Sequence, residues 1–221
     1  MKSVAARKFK DTLATWFFCA AEAALVLLII CVTYFIFREG NGVLSWNFIT
    51  EAPSDGMTSG GVFTPLIGTI QLVAVSMLAA IPIGVAAGLY FAEYSSGGRL
   101  ADLLRLSIRS LAGVPSVIFG LFGLSLFVVF MHFGSCLLSA GRTLACLSLP
   151  LIVTASEQAF LAVPQDYRDA SYALGATKWQ TITRVVLPSA APTIITGAIL
   201  SIGRVAGETA PILFPGAAYF P

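Results

Sequence analysis

The chain has 221 residues, 57% of them hydrophobic and 11% charged, with a formal net charge of +2 and a mean hydropathy of +0.87. A soluble single domain of this composition would lack the polar residues needed to cover its surface, so the chain is an integral membrane protein. Its apolar residues form long blocks, not the roughly 10-residue alternating segments of an outer-membrane barrel, so the expected fold is all-α, a polytopic helical bundle with the lipid bilayer as its surroundings; no nucleic-acid partner is expected.

A bilayer requires about 20 residues per helical span, and blocks of that length stand at residues 16–37, 65–94, 114–133, 143–163 and 191–214. The first is too long for the apolar core of a signal peptide and lacks an A-x-A-like cleavage site, so a retained span is expected. Lys2, Arg7, Lys8 and Lys10 precede it, Arg99, Arg105 and Arg109 follow the second span, and Arg168, Lys178 and Arg184 follow the fourth. The excess of Lys and Arg places these three segments, and the N-terminus, in the cytoplasm. The segment with Glu39, Glu51 and Asp55 and the turn at residues 134–142 then face outward.

Within the second span, Pro82 and the small pair Gly84 and Gly88 interrupt the apolar run. Small residues four apart let helices approach closely, so packing is expected there. The glycines and proline at residues 113–115 and 120–123 also read as packing or a kink, with a discontinuous helix along a transport path as the alternative. Cys19, Cys31, Cys136 and Cys146 show no C-x-x-C spacing and read as small apolar residues. His132, the one histidine, cannot build a histidine-based metal site alone and reads as an interfacial polar residue. No G-x-x-x-x-G-K-[ST] loop, G-x-S-x-G elbow or H-E-x-x-H pair occurs. The chain is therefore expected to hold no cofactor or metal and to leave any catalysis to a partner.

Between the fourth and fifth blocks lies RDASYALGATKWQTITRVVLP, residues 168–188, polar and punctuated by glycine. Pro164 ends the preceding span and Asp166 can cap a new helix, with Asp169 near its positive end. Ala170, Ala173, Leu174 and Thr177 then share one face, and Trp179, Ile182 and Val186 form a second apolar stripe opposite Gln180, Thr183 and Arg184. Gly175 weakens the helix between them and Pro188 marks the return to the membrane, which predicts a bent cytoplasmic elbow of two short helices. An amphipathic loop lying on the membrane surface would show the same periodicity.

The spacing Asp169-Ala170-Ser171, three residues, Gly175, nine residues, Val185-Val186-Leu187-Pro188 resembles the EAA motif of binding-protein-dependent ABC importer permeases, E-A-A, three, G, nine, I-x-L-P. Asp169, Ser171 and Val185 are conservative departures from it. The resemblance implies that this loop docks on a cytoplasmic ATPase, with Asp169, Ala170, Ser171, Gly175, Leu187 and Pro188 as the matching positions, and that ATP and Mg are bound by that partner. The longer run from Tyr172 to Pro211, ending in GETAP, is similar to the permeases of phosphate importers, and the likeness extends over residues 61–221. It implies a type I importer transmembrane domain at 61–221 with its coupling loop at 164–188, preceded by a segment of tail, first span and linker at 1–60. It further implies an inner-membrane complex with a second permease subunit, ATP-binding subunits and an extracytoplasmic phosphate-binding protein, and a sixth span beyond GETAPILF, for which the sequence to Pro221 has no counterpart.

Arg204 and Glu208 stand four residues apart within the last apolar block. A charge at mid-membrane costs roughly 2.5–3.5 kcal/mol on insertion scales, so such residues face a partner or a water-filled path. One reading is that the two neutralise each other or cement helices. The other is that Arg204, flanked by the open positions Gly203 and Gly207, lines the path and attracts an anion while Glu208 holds the guanidinium. A channel or secondary transporter without an ATPase, a permease for another oxyanion, and a membrane scaffold remain as alternative functions.

Overall fold

The computed structural model describes residues 2–95 and 97–216, with the side chains of residues 2–11 and Met57 outside that description. The last residues of the expected permease domain, 217–221, and the sixth span lie outside the described residues. Contacts divide the chain into two compact units, Met1–Thr64 and Pro65–Pro221, and the boundary expected at 60–61 falls just ahead of that division.

The first unit is led by α1, Lys2–Gly40. Beyond its charged first turns it is largely apolar with no preferred face, the pattern of a helix that can meet lipid on every side. Its apolar stretch Thr12–Gly40 has 29 residues, about 43 Å at the helical rise and more than the roughly 30 Å of a hydrocarbon core. A short helix α2, Trp46–Thr50, follows, capped by Ser45, whose Oγ accepts the Phe48 N–H at 3.2 Å. A two-residue hairpin, β1 Pro53–Ser54 with β2 Ser59–Gly60, pairs antiparallel. Ser59 donates to the Asp55 carboxylate at 2.7 Å across its turn. This hairpin is the only sheet among the described residues, and the fold is otherwise helical.

The second unit is built around α6, Leu137–Leu161. Of the spans, α6 is 61% buried, against 28% for Phe63–Tyr94 and 17% for Lys178–Gly207, which makes it the central helix. On one side packs α3, Phe63–Leu89, which continues through a wide π turn, Tyr90–Tyr94. The contact is close because the facing residues are glycines: a Cβ on Gly84 would stand 2.6 Å from Ile152 Cγ2, and one on Gly88 2.7 Å from Ser156 Cβ. This is the packing role expected for that pair. Met77, Ala80, Phe119, Leu144, Leu147, Ile152 and Val205 form one core layer, and Ala159, Phe160, Val163, Val186, Ala190 and Ile194 a second.

Three expected spans are corrected. The block at 114–133 holds a shorter helix than expected, Ser116–Phe130, and the loop expected ahead of it is itself helical. Helix α4, Arg99–Leu111, meets Ser116–Phe130 at 102°, where α5, Ser116–Gly123, continues through a wide turn, Leu124–Phe130. Pro115 has no N–H with which to extend α4, so Gly113 and Val114 close its last turn onto Ser110 and Leu111 and the chain turns away. At the next block, α6 begins six residues before the expected start at 143. Arg142, read as a loop residue, lies inside the helix with its guanidinium 4.7 Å from the centre of the Phe133 ring. The last block does not run unbroken to 214. Helix α9, Leu187–Gly207, stops at Gly207 and a separate turn, α10, Ala210–Leu213, follows. Glycine is a weak helix former and Pro211 cannot donate to the carbonyl of Gly207, so the helix breaks between them. Pro211 and Phe214 then pack on Gly120, whose missing Cβ leaves room for them. His132 is exposed in the turn after Leu124–Phe130, with its Nδ1 3.0 Å from the Phe130 carbonyl.

Candidate functional site

The elbow forms from two adjacent termini. Helix α7, Gln165–Ala173, starts directly after Pro164, which occupies the capping position in place of the expected Asp166; Asp166 sits in the first turn, where a carboxylate favours the positive helix end. Asp169 is exposed and accepts the Gln165 amide at 3.2 Å, and Ala170 is exposed beside it. The helix ends at Ala173, so Leu174 and Thr177 do not share its face as expected. Gly175 lies at φ +82, and its N–H donates to Tyr172 O while that of Ala176 donates to Ser171 O. These two bonds close a Schellman turn, whose left-handed position suits glycine.

Thr177 instead begins the next helix, α8, Lys178–Thr181, through a reciprocal cap: its hydroxyl accepts the Gln180 N–H and its own N–H donates to the Gln180 side chain. Far from being a separate short helix, α8 runs on through the wide turn Ile182–Val186 into α9. Pro188 is absorbed into this continuous helix. The Leu187 N–H closes the wide turn on Ile182 O, and the Ser189 hydroxyl reaches Val185 O at 2.6 Å, so the turn accommodates a proline without a donor. Ser171 and Thr181 hydroxyls, 2.9 Å apart, tie the two arms together.

Buried charges lock the elbow to the bundle. The Arg168 guanidinium donates to the Glu93 carboxylate at 2.7 and 3.1 Å, to Phe160 O at 2.8 Å and to Val163 O at 2.6 Å. It thereby pairs with the turn that continues α3 and binds carbonyls at and just beyond the end of α6. Lys178 donates to the carbonyl of Glu93 and lies 4.4 Å from the centre of the Tyr94 ring. Above this strap, Ile182 and Val186 are buried, but Trp179 is 61% exposed and Leu174 89% exposed. Trp179 thus leaves the stripe predicted for it and joins an outward apolar tip. Arg168 read only as a topogenic charge, and Glu93 and Glu157 were not singled out. Yet a carboxylate inside an apolar block requires a partner, and that signal was present. A second, partly buried pair joins Arg105 to Glu157 at 2.7 Å, with Arg105 also donating to Phe91 O at 2.8 Å.

Two expected outcomes follow from this geometry. Gly175→Val forces a β-branched residue into the left-handed region, at a cost of roughly 1–2 kcal/mol. Because no atom lies within 4 Å of its would-be Cβ, the bundle should still insert and fold while ATPase stimulation and uptake fall; normal values of both would show that the turn plays no part in coupling. Thr181, a natural cysteine-labelling position on sequence grounds, is only 1% exposed, so Leu174 takes its place. In intact cells a cysteine at Ser54 should react with an impermeant reagent and cysteines at Arg99 or Leu174 should not. External labelling at 174 would invert the topology.

At the other end of α9, Arg204 Nε stands 3.5 Å from Glu208 Oε1, with the side chains 42% and 19% exposed. The pair does not lie on one unbroken helix, since Glu208 has left it with ψ 131. Glu208, with Thr69, Thr209 and Leu72, lines a cavity of about 420 Å³, whose lining does not include Arg204. Nothing from elsewhere in the described chain crowds a would-be Cβ on Gly203 or Gly207, and the Arg204 side chain beside them is itself exposed. Among the described residues no group of three or more His, Cys, Asp or Glu could hold a metal ion.

Residues 80–219 match the family described as binding-protein-dependent transport system inner membrane component. The chain is 38% identical over 208 residues to the probable ABC transporter permease protein YqgI of Bacillus subtilis, covering 94% of this chain and 71% of that protein. It is 34% identical over 211 residues to the phosphate transport system permease protein PstA 1 of Mycobacterium tuberculosis, covering 94% and 69% respectively. The fold is shared with an inward-facing structure of the MetNI methionine ABC transporter at a TM-score of 0.59 and 22% identity, over 66% of this chain and 72% of that one.

Proposed function

This chain belongs to the family of inner membrane components of binding-protein-dependent transport systems, and from that premise we propose that it is the permease subunit through which an ATP-driven importer moves inorganic phosphate across the inner membrane. As a multi-pass ABC importer permease it is a transporter subunit and not an enzyme. Phosphate is the substrate in the names of its PstA relatives, two of which are 34% and 36% identical to it. The proposed partners are a second permease subunit, ATP-binding subunits that hold ATP and Mg, and an extracytoplasmic phosphate-binding protein, with the N-terminus in the cytoplasm.

The observation that carries the coupling role is the elbow's construction. Its base is fixed by the buried Arg168–Glu93 pair, and its tip presents Leu174 and Trp179 to the outside. Exposed large apolar groups on a rigid support fit a groove on another protein, and a rigid support transmits displacement into α9, with which α8 is continuous. In this reading Asp169, Ala170 and Ser171 lie on the first arm, Gly175 sets the bend, and Leu187 and Pro188 carry the motion into the last span.

Deletion of the gene is expected to abolish uptake of radiolabelled phosphate and to spare sulfate uptake, and the detergent-extracted chain should bring down an ATPase subunit. Unchanged phosphate uptake, or loss of sulfate uptake instead, would overturn the substrate assignment. Purification without any ATPase would overturn the coupling role.

A further inference from the structure

We propose that α4 lies in the plane of the membrane and binds anionic lipid headgroups through Arg99 and Arg109. The proposal takes the membrane location from the family and does not depend on the transported substrate. Helix α4 has 13 residues, about 20 Å, too short for a span of roughly 30 Å. It stands at 102° to Ser116–Phe130, so if α5 runs across the bilayer, α4 runs along it. Its level is set by Arg105, which reaches the Glu157 carboxylate and the Phe91 carbonyl, groups near the ends of two spans on the side of the bundle that carries the elbow.

Three sides of the helix have three different surroundings. Ala101, Arg105 and Ile108 are half-buried against the bundle. Leu100, Leu103, Leu104 and Leu111 are 71%, 58%, 43% and 46% exposed and, by helical spacing, Leu100, Leu104 and Leu111 share one face. Arg99, Asp102 and Arg109 lie on the remaining side, with the 61% exposed Leu106 among them. Asp102 lies 3.6 Å from Arg105. Among the described residues no side-chain hydrogen bond or ion pair involves Arg99 or Arg109, and both side chains are exposed. A leucine face beside free arginines is the pattern of a helix seated at the headgroup boundary, with apolar side chains in the acyl region and guanidinium groups at phosphate level. A separation of ten positions puts the two arginines about 15 Å apart along the axis, far enough to engage separate headgroups. A partner protein covering the same face is the competing occupant. The exposed apolar surface favours lipid, since it continues past the bend into Val117 and Ile118 of α5, 46% and 52% exposed.

The test uses the complete transporter in bilayer nanodiscs, with the native Cys19, Cys31, Cys136 and Cys146 replaced and single nitroxide labels on α4. Labels at Leu100, Leu104 and Leu111 are expected to be relaxed by oxygen and shielded from a water-soluble nickel chelate, and a label at Asp102 to show the reverse. Preferential access of the chelate to positions 100 and 104, or protection of both from either reagent, overturns the membrane-plane assignment; the second result would identify a protein partner instead. In discs of mixed phosphatidylglycerol and phosphatidylcholine, Arg99→Gln/Arg109→Gln should lower the enrichment of retained phosphatidylglycerol by roughly five-fold or more, the factor expected for loss of even one arginine near an anionic surface. An unchanged lipid ratio overturns the headgroup contact.

Discussion

Arg204→Gln is expected to lower phosphate uptake by roughly ten- to a hundred-fold while the complex still assembles, a factor that corresponds to losing one hydrogen bond to a charged group. The guanidinium is 42% exposed, its pairing with Glu208 is loose at 3.5 Å, and nothing from elsewhere in the described chain crowds the flanking Gly203 and Gly207. Such a group can exchange its carboxylate partner for a passing anion, and Arg offers paired donors for an oxyanion. Arg204→Lys should recover only part of the loss, since the charge returns without the fork of donors. Glu208→Gln should also impair uptake, through the charge it removes from the wall of the cavity that it shares with Thr69 and Thr209. Near-normal uptake by a well-expressed Arg204→Gln variant would reduce the pair to a structural contact.

Arg168→Met is expected to cost about 3–5 kcal/mol of stability, the usual penalty for stranding one member of a buried ion pair. The two side chains are 9% and 8% exposed, so Glu93 has no ready access to water when its partner is lost. The same change also frees the Phe160 and Val163 carbonyls at the end of α6. Thermal unfolding in detergent should fall sharply, and ATPase stimulation should be lost even where protein remains. Arg168→Lys should be only slightly better, because a single ammonium cannot reach a carboxylate and two carbonyls in different directions. The double variant Arg168→Met/Glu93→Leu should be more stable than Arg168→Met alone, since the stranded charge is gone. Equal stability of the single variant and the parent would show that the strap does not hold the elbow.

Membrane class, helical fold, the approximate place of each span and the elbow between the last two were all legible in the sequence. Each depends on residues close together in the chain: a block of about 20 apolar residues implies a span wherever it occurs, and a glycine after a short helix implies a turn whatever packs nearby. The break at residues 113–115 was readable for the same reason, because a proline without a donor acts on its own neighbours. The spacing around Gly175 resembles a family's docking loop, and the φ of +82 there gives a local reason for a glycine at that position.

Tertiary structure decided which charges meet. Arg105 and Glu157 are 52 residues apart and Arg168 and Glu93 are 75 apart, and their pairing depends on α4, α7 and the turn after α3 all gathering at the C-terminal end of α6. Helical periodicity repeats only within a helix, so it could place Trp179 on a stripe with Ile182 and Val186 but could not show that the bundle would bury the latter two and leave Trp179 outside. Likewise the sequence put Arg204 and Glu208 four residues apart, but that Glu208 lines a cavity with Thr69 and Leu72 of α3 depends on which distant helix stands beside it. Local preference selects the elements, but the environment of each charge is settled by which distant surfaces are brought against it.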